Sequence, residues 1–357
     1  MNKVKDPSPT LYGIRTQKPG DIPALTELVA RAFAADKTWG QRRNLTEIAV
    51  PSGMAALPSF DPEIALVAED EAGAILGYAL FYPYTMRLRG RRIKAACLAP
   101  LAVDPVHGGK GIGSVLMHAS RKALEAKGFS LAFLCGHEGY YPRFGYLKGM
   151  FGRVGLLPHH HHGPRHPADS PAPTLRAPRP EDEAALLGLW EDCHGQSDLA
   201  LEPEKGFAGW MSWTPQNLSV VLERGGRPVA YARFVNEEAV GAFGGGAEPK
   251  ARSFHLFLAA DAEAACDLLA AVRAEPGRGG AGAAAPLIPL HPGSEAARRL
   301  FPAGYDGVLE KGGYAMALPL AGGGAEEVAA ARDYCEGVAA GRLDPGLLIL
   351  PPVFDLE

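Results

Sequence analysis

Apolar residues in the first part of the chain follow two rhythms. Alternation at every second residue marks strands, and recurrence at three and four residues marks helices. Leu11-Tyr12-Gly13-Ile14-Arg15 reads as a first strand. Asp21 stands near the start of an amphipathic helix through Leu25, Leu28, Val29 and Phe33. Ala35 to Pro62 is polar, with Pro and Gly, and reads as loop and short helix. Ile64 to Ala68 is a strand, and Glu71-Ala72-Gly73 turns the chain into a long strand from Ile75 to Met86. Arg89-Gly90 turns it again into Ile93 to Val103. A glycine-dense turn follows, then a helix from Ser114 to Ala126 and a short apolar strand from Ser130 to Cys135.

Residues 156–174 break the rhythm. Proline and histidine dominate, no period survives, and the stretch reads as a solvated linker. His159, His160, His161, His162 and His166 have no cysteine or carboxylate cluster beside them, so no metal site is expected there. The second half then begins again. Leu175-Arg176 is followed by Pro180-Glu181-Asp182 and a helix carrying Leu186, Leu187, Leu189 and Trp190, an echo of Ile14-Arg15, Gly20-Asp21 and its helix. Leu218 to Glu223 and Val229 to Val235 form a hairpin, and Ser253 to Leu258 a further strand. Glu275 to Ala285 is a Gly/Ala-rich loop. Pro286 to Leu290, a helix from Ser294 to Phe301, and Gly307 to Leu318 are expected to complete a second sheet. Ala325 to Gly341 is helical, and the apolar run Leu347 to Phe354 is expected to pack back on a domain.

Composition narrows the class. The 357 residues suffice for about two domains, and 47% hydrophobic with 21% charged residues suits a globular chain. A net charge of −4 leaves no basic footprint for nucleic acid. The run Arg87-Leu88-Arg89-Gly90-Arg91-Arg92 reads as the solvated turn of a hairpin. No apolar run of about 18 residues or more is present, so no membrane span is expected. Met1 to Asp6 lacks the apolar core of a signal peptide. The 5 cysteines, Cys97, Cys135, Cys193, Cys266 and Cys335, are widely scattered and read as reduced core residues of a cytoplasmic protein.

The densest chemistry lies in Val103-Asp104-Pro105-Val106-His107-Gly108-Gly109-Lys110-Gly111-Ile112-Gly113-Ser114. Glycines can aim successive backbone N–H groups, and the following helix adds unpaired N–H groups with a partial positive charge. The expected product is a socket for phosphate or pyrophosphate. A triphosphate P-loop needs Lys-Ser/Thr after its last glycine, which is missing. A dinucleotide fingerprint needs a third glycine where Leu116 stands. A plain turn with a helix cap is the ligand-free alternative.

The pattern V-D-P-x-x-G-G-K-G-I-G-S-x-L-M resembles the acyl-CoA loop of the GNAT N-acetyltransferase superfamily. The resemblance covers about residues 10–155 and departs at Gly108, where the family usually has Gln or Arg. It implies an α+β fold: an antiparallel meander, a loop and helix, and a further strand in one mixed, mostly antiparallel sheet flanked by helices. It also implies acetyl-CoA as cosubstrate, with Leu101, Ala102 and Val103 beside the pantetheine and thioester. Gly108, Gly109, Lys110, Gly111, Ile112, Gly113 and Ser114 would hold the pyrophosphate. Downstream, Tyr140-Tyr141-Pro142-Arg143-Phe144-Gly145-Tyr146 is similar to a second motif of the family. There a Tyr stands four residues before a Gly-aromatic pair, so the resemblance assigns Tyr141 as the acid that protonates the leaving thiolate. A phenol with a pKa near 10 can serve as that donor. The strand Ile93 to Val103 carries no Glu or Asp to act as base, which leaves His137, Glu138, His107 and the C-terminal carboxylate of Glu357 as candidates.

The resemblance extends to domain organisation. Residues 1–155 are expected to form a catalytic domain, 156–174 a linker, 175–320 a degenerate GNAT-like domain, and 321–357 a C-terminal helix and tail. In the second unit Ala259-Ala260-Asp261-Ala262-Glu263 replaces the loop, with two acids where a phosphate would lie. Tandem acetyltransferases of the enhanced-intracellular-survival and mycothiol-synthase types share this two-part plan; the lipid-carrier-like third domain of the former is not expected here. The implied activity is acetyl transfer to a primary amine of a small molecule or peptide by direct attack, without a metal, by a monomer or homodimer. The alternative is a non-catalytic acyl-CoA-binding or sensing protein.

Overall fold

A computed structural model describes residues 12–34, 44–159, 172–212, 217–235, 254–274 and 286–349. The expected loop Glu275 to Ala285, Glu357, and four of the five linker histidines lie outside these residues. The first half opens with β1 (Tyr12–Thr16), α1 (Ile22–Ala34) and α2 (Asn44–Ala55). Strands β2 (Ala65–Asp70), β3 (Ile75–Leu88) and β4 (Arg91–Val103) form the antiparallel meander. Helix α3 (Ile112–Ala126) leads to β5 (Leu131–Cys135), which lies parallel to β4. Helices need one apolar stripe, and α3 buries Ile112, Leu116, Met117 and Leu124 against one face of the sheet. α1 and α2 bury Leu25, Leu28, Val29, Val50 and Met54 against the other.

The short strand β6 (Leu147–Lys148) is followed by β7 (Gly152–Pro158), and the second half by β8 (Thr174–Arg176) and α4 (Glu183–His194). Strands β9 (Asn217–Arg224), β10 (Arg227–Val235) and β11 (Phe254–Ala259) form with β8 an antiparallel four-stranded sheet of order β11-β10-β9-β8. Helix α5 (Ala262–Ala274), the short α6 (Glu295–Leu300), β12 (Tyr305–Lys311), β13 (Ala315–Pro319) and α7 (Ala325–Ala339) complete the described chain.

Both halves open on the same ion-pair device. Arg15 binds Asp21 at 2.6 Å and Glu69 at 2.7 Å, and Arg176 binds Asp182 and Glu223, each at 2.7 Å. Each aspartate also accepts a backbone N–H, from Lys18 and from Arg179, at 2.7 Å. The guanidinium of Arg176 holds the Asp182 carboxyl below its ordinary range. The same lock therefore ties first strand, first helix and second strand in both units, which is the physical content of the repeat seen in the sequence.

Two strands cross between the halves. β13 sits in the first sheet, whose order is β1-β2-β3-β4-β5-β13-β6. The expectation that Gly307 to Leu318 completes the second sheet is thus corrected: Ala315 to Pro319 pairs with Leu131 to Cys135. In return β7 pairs with β12 and bridges Ile288, and its Val154 and Leu156 join the core of the second half. Residues 156–158, assigned to the linker by composition, are the end of this strand. The β5 edge is open for a partner, and β13 arrives with alternate faces already apolar, so pairing and burial are satisfied together.

The arginine-rich hairpin makes contacts that its sequence reading does not include. Arg87 pairs with Glu191 at 2.7 Å and Glu202 at 3.0 Å, Arg89 with Asp198 at 3.4 Å, and Arg92 with Glu202 at 2.6 Å. Backbone bonds join Arg87 N to Ala200 O, Leu199 N to Arg87 O and Glu202 N to Thr85 O. The turn itself, Arg89 to Arg92, is exposed as the sequence predicts, and its flanks form a seam between the halves.

None of the 5 cysteines is joined in a disulfide among the described residues; Cys97, Cys193 and Cys335 are buried, whereas Cys135 is exposed and does not fit the core reading. Among the described residues no helix is long and apolar enough to cross a membrane, and no group of three or more potential metal ligands exists. The core of the second half holds a titratable surprise. His194 is fully buried, and burial pulls its pKa from 6.5 down to about 4. The unfolded chain binds the proton more tightly, so stability is complete above about pH 6.5 and is lost as pH falls towards 4. The expected cost is about 3 kcal/mol over that window. Urea melts at pH 7 and 4.5 check it: His194→Leu should show a smaller loss than the parent, and equal losses would remove His194 as the cause.

Candidate functional site

β4 and β5 are hydrogen-bonded only where Ala95, Ala96 and Cys97 face Leu131, Ala132 and Phe133. Beyond Cys97 the strands part. β5 keeps β13 as its partner, while β4 from Leu98 to Val103 pairs only with β3, across a register shift between Ala79 and Phe81. A bulge of this kind re-aims a strand. Among the described residues, the fork leaves the backbone edge of Leu98 to Val103 without a strand neighbour on the β5 side. The sequence-expected pantetheine residues Leu101, Ala102 and Val103 line that edge.

Past Val103, the Asp104 carboxylate accepts Val106 N at 3.0 Å and Arg31 at 3.0 Å, which fixes the exit from the strand. Gly109 (φ 76°) and Gly111 (φ 86°) occupy the left-handed region, where side chains cause strain, and Gly111 caps α3. The amide of Gly108 donates to Pro105 O at 3.1 Å and closes a turn. It is therefore spent on the loop's own structure, unlike the expectation for it. Among the described residues no acceptor serves the amides of Gly109, Lys110, Gly111, Ile112, Gly113 or Ser114. Six donors in sequence, at a helix N-terminus beside a forked sheet, are an arrangement that can receive an anion.

The profile of the acetyltransferase (GNAT) domain matches residues 13–149. These residues form a GNAT acetyltransferase domain. An N-acetyltransferase of Escherichia coli K12, YhbS, described as uncharacterized, is 29% identical to the chain over 133 residues, which is 37% of this chain and 72% of that protein. Among solved structures, a GCN5-related N-acetyltransferase from Kribbella flavida superposes with a TM-score of 0.56 at 18% identity, covering 87% of this chain and 72% of that one. Eis1 from Mycobacterium abscessus gives 0.52 at 16% identity, covering 87% and 74%. These two likenesses are of fold, and they reach well beyond the GNAT domain into the second half.

The GNAT domain's aromatic cluster sits beside the loop. Tyr141 is buried, with its ring laid across Gly136 and edge-on to Tyr140 at 5.1 Å and Tyr146 at 6.0 Å. Burial pushes the Tyr146 phenol up, so it stays neutral. Tyr140, which the sequence reads as a core or rim aromatic, has its hydroxyl against α3: a Cβ added to Gly113 would lie 2.6 Å from it. Arg143 stacks over Tyr140 at 4.4 Å. Of the candidate bases, His107 lies in the loop with Nδ1 4.0 Å from Asp104, and Glu138 is exposed and pairs with Lys148 at 3.3 Å. His137 is exposed next to it.

Sequence reasoning missed one carboxylate altogether. Glu204, from the second half, is 8% exposed and lies on the α1–α2 face of the GNAT sheet. Tyr82 Oη donates to it at 2.9 Å and Ser59 Oγ at 2.5 Å. Burial and this carboxylate push the Tyr82 phenol up, and burial does the same for Tyr84, so both remain donors. Glu204 stands in a short polar stretch between Pro203 and Lys205, and nothing local distinguishes it from a surface residue.

Proposed function

We propose that the GNAT domain transfers the acetyl group of acetyl-CoA to a primary amine of a small molecule or peptide. The row of unpartnered amides from Gly109 to Ser114 carries this reading, because it suits a pyrophosphate beside an open strand edge. Leu101, Ala102 and Val103 would pair with the pantetheine amides as a strand does. The amine nitrogen attacks the thioester carbonyl, the C–S bond breaks, and Tyr141 gives its proton to the departing thiolate. The amine's own proton leaves to water or a base.

The second half supports the division of labour between a working and a degenerate unit. Its β11–α5 connection has no glycine, and Asp261 Oδ1 accepts Ala264 N at 2.7 Å. The helix end that would meet a phosphate is already capped by a carboxylate.

The same chemistry supplies the test. Gly111→Asp places a carboxylate at the cap of α3, as Asp261 does for α5, and aspartate tolerates the left-handed conformation better than most residues. By calorimetric titration, CoA is expected to bind the parent and to bind Gly111→Asp at least about tenfold more weakly, with a melting temperature little changed. Equal affinity in the two would move the pyrophosphate away from this loop. Free thiol release from acetyl-CoA with a panel of amines then separates enzyme from sensor.

A further inference from the structure

The parting of β4 and β5 begins at Cys97, which faces Tyr82 across the sheet. Tyr82 in turn binds Glu204. The second half thus delivers a carboxylate level with the fork, on the α1–α2 face. Leu101 lies four residues further on, about 13 Å along an extended strand. Glu204 borders a cleft of about 520 Å³ between the halves, which Tyr84, Leu187 and Trp190 also line.

The other carboxylates on the cleft wall are already engaged. Glu202 is held by Arg87 and Arg92, and Glu191 by Arg87. Glu183 accepts Gly206 N at 2.9 Å. Lys94 turns away to Lys127 O at 2.9 Å and stacks on Phe129, and Lys205 is exposed at the rim. Glu204 has two neutral hydroxyl donors and no cationic partner among the described residues. Each of its oxygens has further lone-pair capacity. A buried carboxylate without a counter-charge is costly, and a ligand cation would relieve that cost. A second, independent group points the same way: Tyr84, 6% exposed, has a buried hydroxyl with no hydrogen-bond partner.

We propose that this cleft is the outer part of the acceptor site, drawing in a primary amine with an apolar body, its ammonium met by Glu204 and its body by Leu187 and Trp190, before the amine advances along β4 to the thioester. The assignment rests on the acetyl-transfer reading above and names Glu204 and Tyr84 as the specificity-determining residues. The second half would then contribute directly to a site whose chemistry lies in the first.

Titration of phenethylamine and tryptamine, with phenethyl alcohol as the neutral analogue, tests it without turnover. The amines are expected to bind the parent and the alcohol not. Glu204→Gln keeps the shape and both hydroxyl contacts, and is expected to weaken amine binding by about tenfold or more while leaving CoA affinity unchanged. Tyr84→Phe removes the hydroxyl alone and should weaken it by a smaller factor. Amine affinity unchanged in Glu204→Gln, equal binding of the alcohol, or no amine binding by protein that binds CoA would each overturn the assignment. Amine binding that depends on Glu204 in protein that fails to bind CoA would support the cleft and refute the donor reading instead.

Discussion

A fragment ending at Pro158 is expected not to fold. By sequence it contains all of the GNAT domain, including the region matched by the family profile. In the structure its sheet is incomplete, because β13 fills the place between β5 and β6. Ala315, Met316 and Ala317 are fully buried there, and Leu318 nearly so. Their removal strips β5 of one hydrogen-bonded neighbour from Leu131 to Cys135 and leaves β6 without a strand to pair with. α7 is lost with them. Its Tyr334 donates to Met150 O at 2.5 Å, and Tyr334, Cys335 and Val338 are buried in the core that α1 and α2 share. Unpaired backbone and opened core each cost several kcal/mol, against a typical domain stability of about 5–15 kcal/mol. The fragment should therefore aggregate or bind hydrophobic dyes without a cooperative melt. The full chain should melt cooperatively. A sharp transition in the fragment, at a temperature near that of the whole protein, would show that the crossing strand is dispensable.

Tyr141→Phe is expected to lower kcat by about a hundredfold or more, within the range for loss of a positioned proton donor. Affinity for CoA should hold, since the loop amides are untouched. Stability should also hold, because the ring and its edge-on contacts with Tyr140 and Tyr146 remain. The measurement is thiol release at saturating acetyl-CoA, with a parallel titration of CoA. Tyr140→Phe is the informative comparison. Its hydroxyl lies against Gly113 in the first turn of α3, so it is the alternative donor that the geometry offers. Full turnover in Tyr141→Phe with a large loss in Tyr140→Phe would reassign the acid by one residue. Equal modest losses in both would mean that neither phenol is essential to leaving-group protonation.

The amino-acid sequence by itself determined the meander, the glycine turn and the helix behind it. Those features depend on alternation, on the left-handed tolerance of Gly109 and Gly111, and on the start of an apolar-periodic helix, all of which act over a few residues. The repeat was legible for the same reason, since Arg15 with Asp21 and Arg176 with Asp182 are local pairs at the same spacing. Even within the loop, however, the sequence could not show that the Gly108 amide turns inward to Pro105. Tertiary structure alone decided which edges meet. β13 reaches β5 across more than half the chain, β7 pairs with β12, and the hairpin arginines find Glu191, Asp198 and Glu202. Pairings at such separation carry no local signal, because any open edge and any apolar strand of suitable length would satisfy the same rules. Glu204 shows the consequence most sharply: its meaning comes from Tyr82 and Ser59, more than a hundred residues away, and not from its neighbours in the chain.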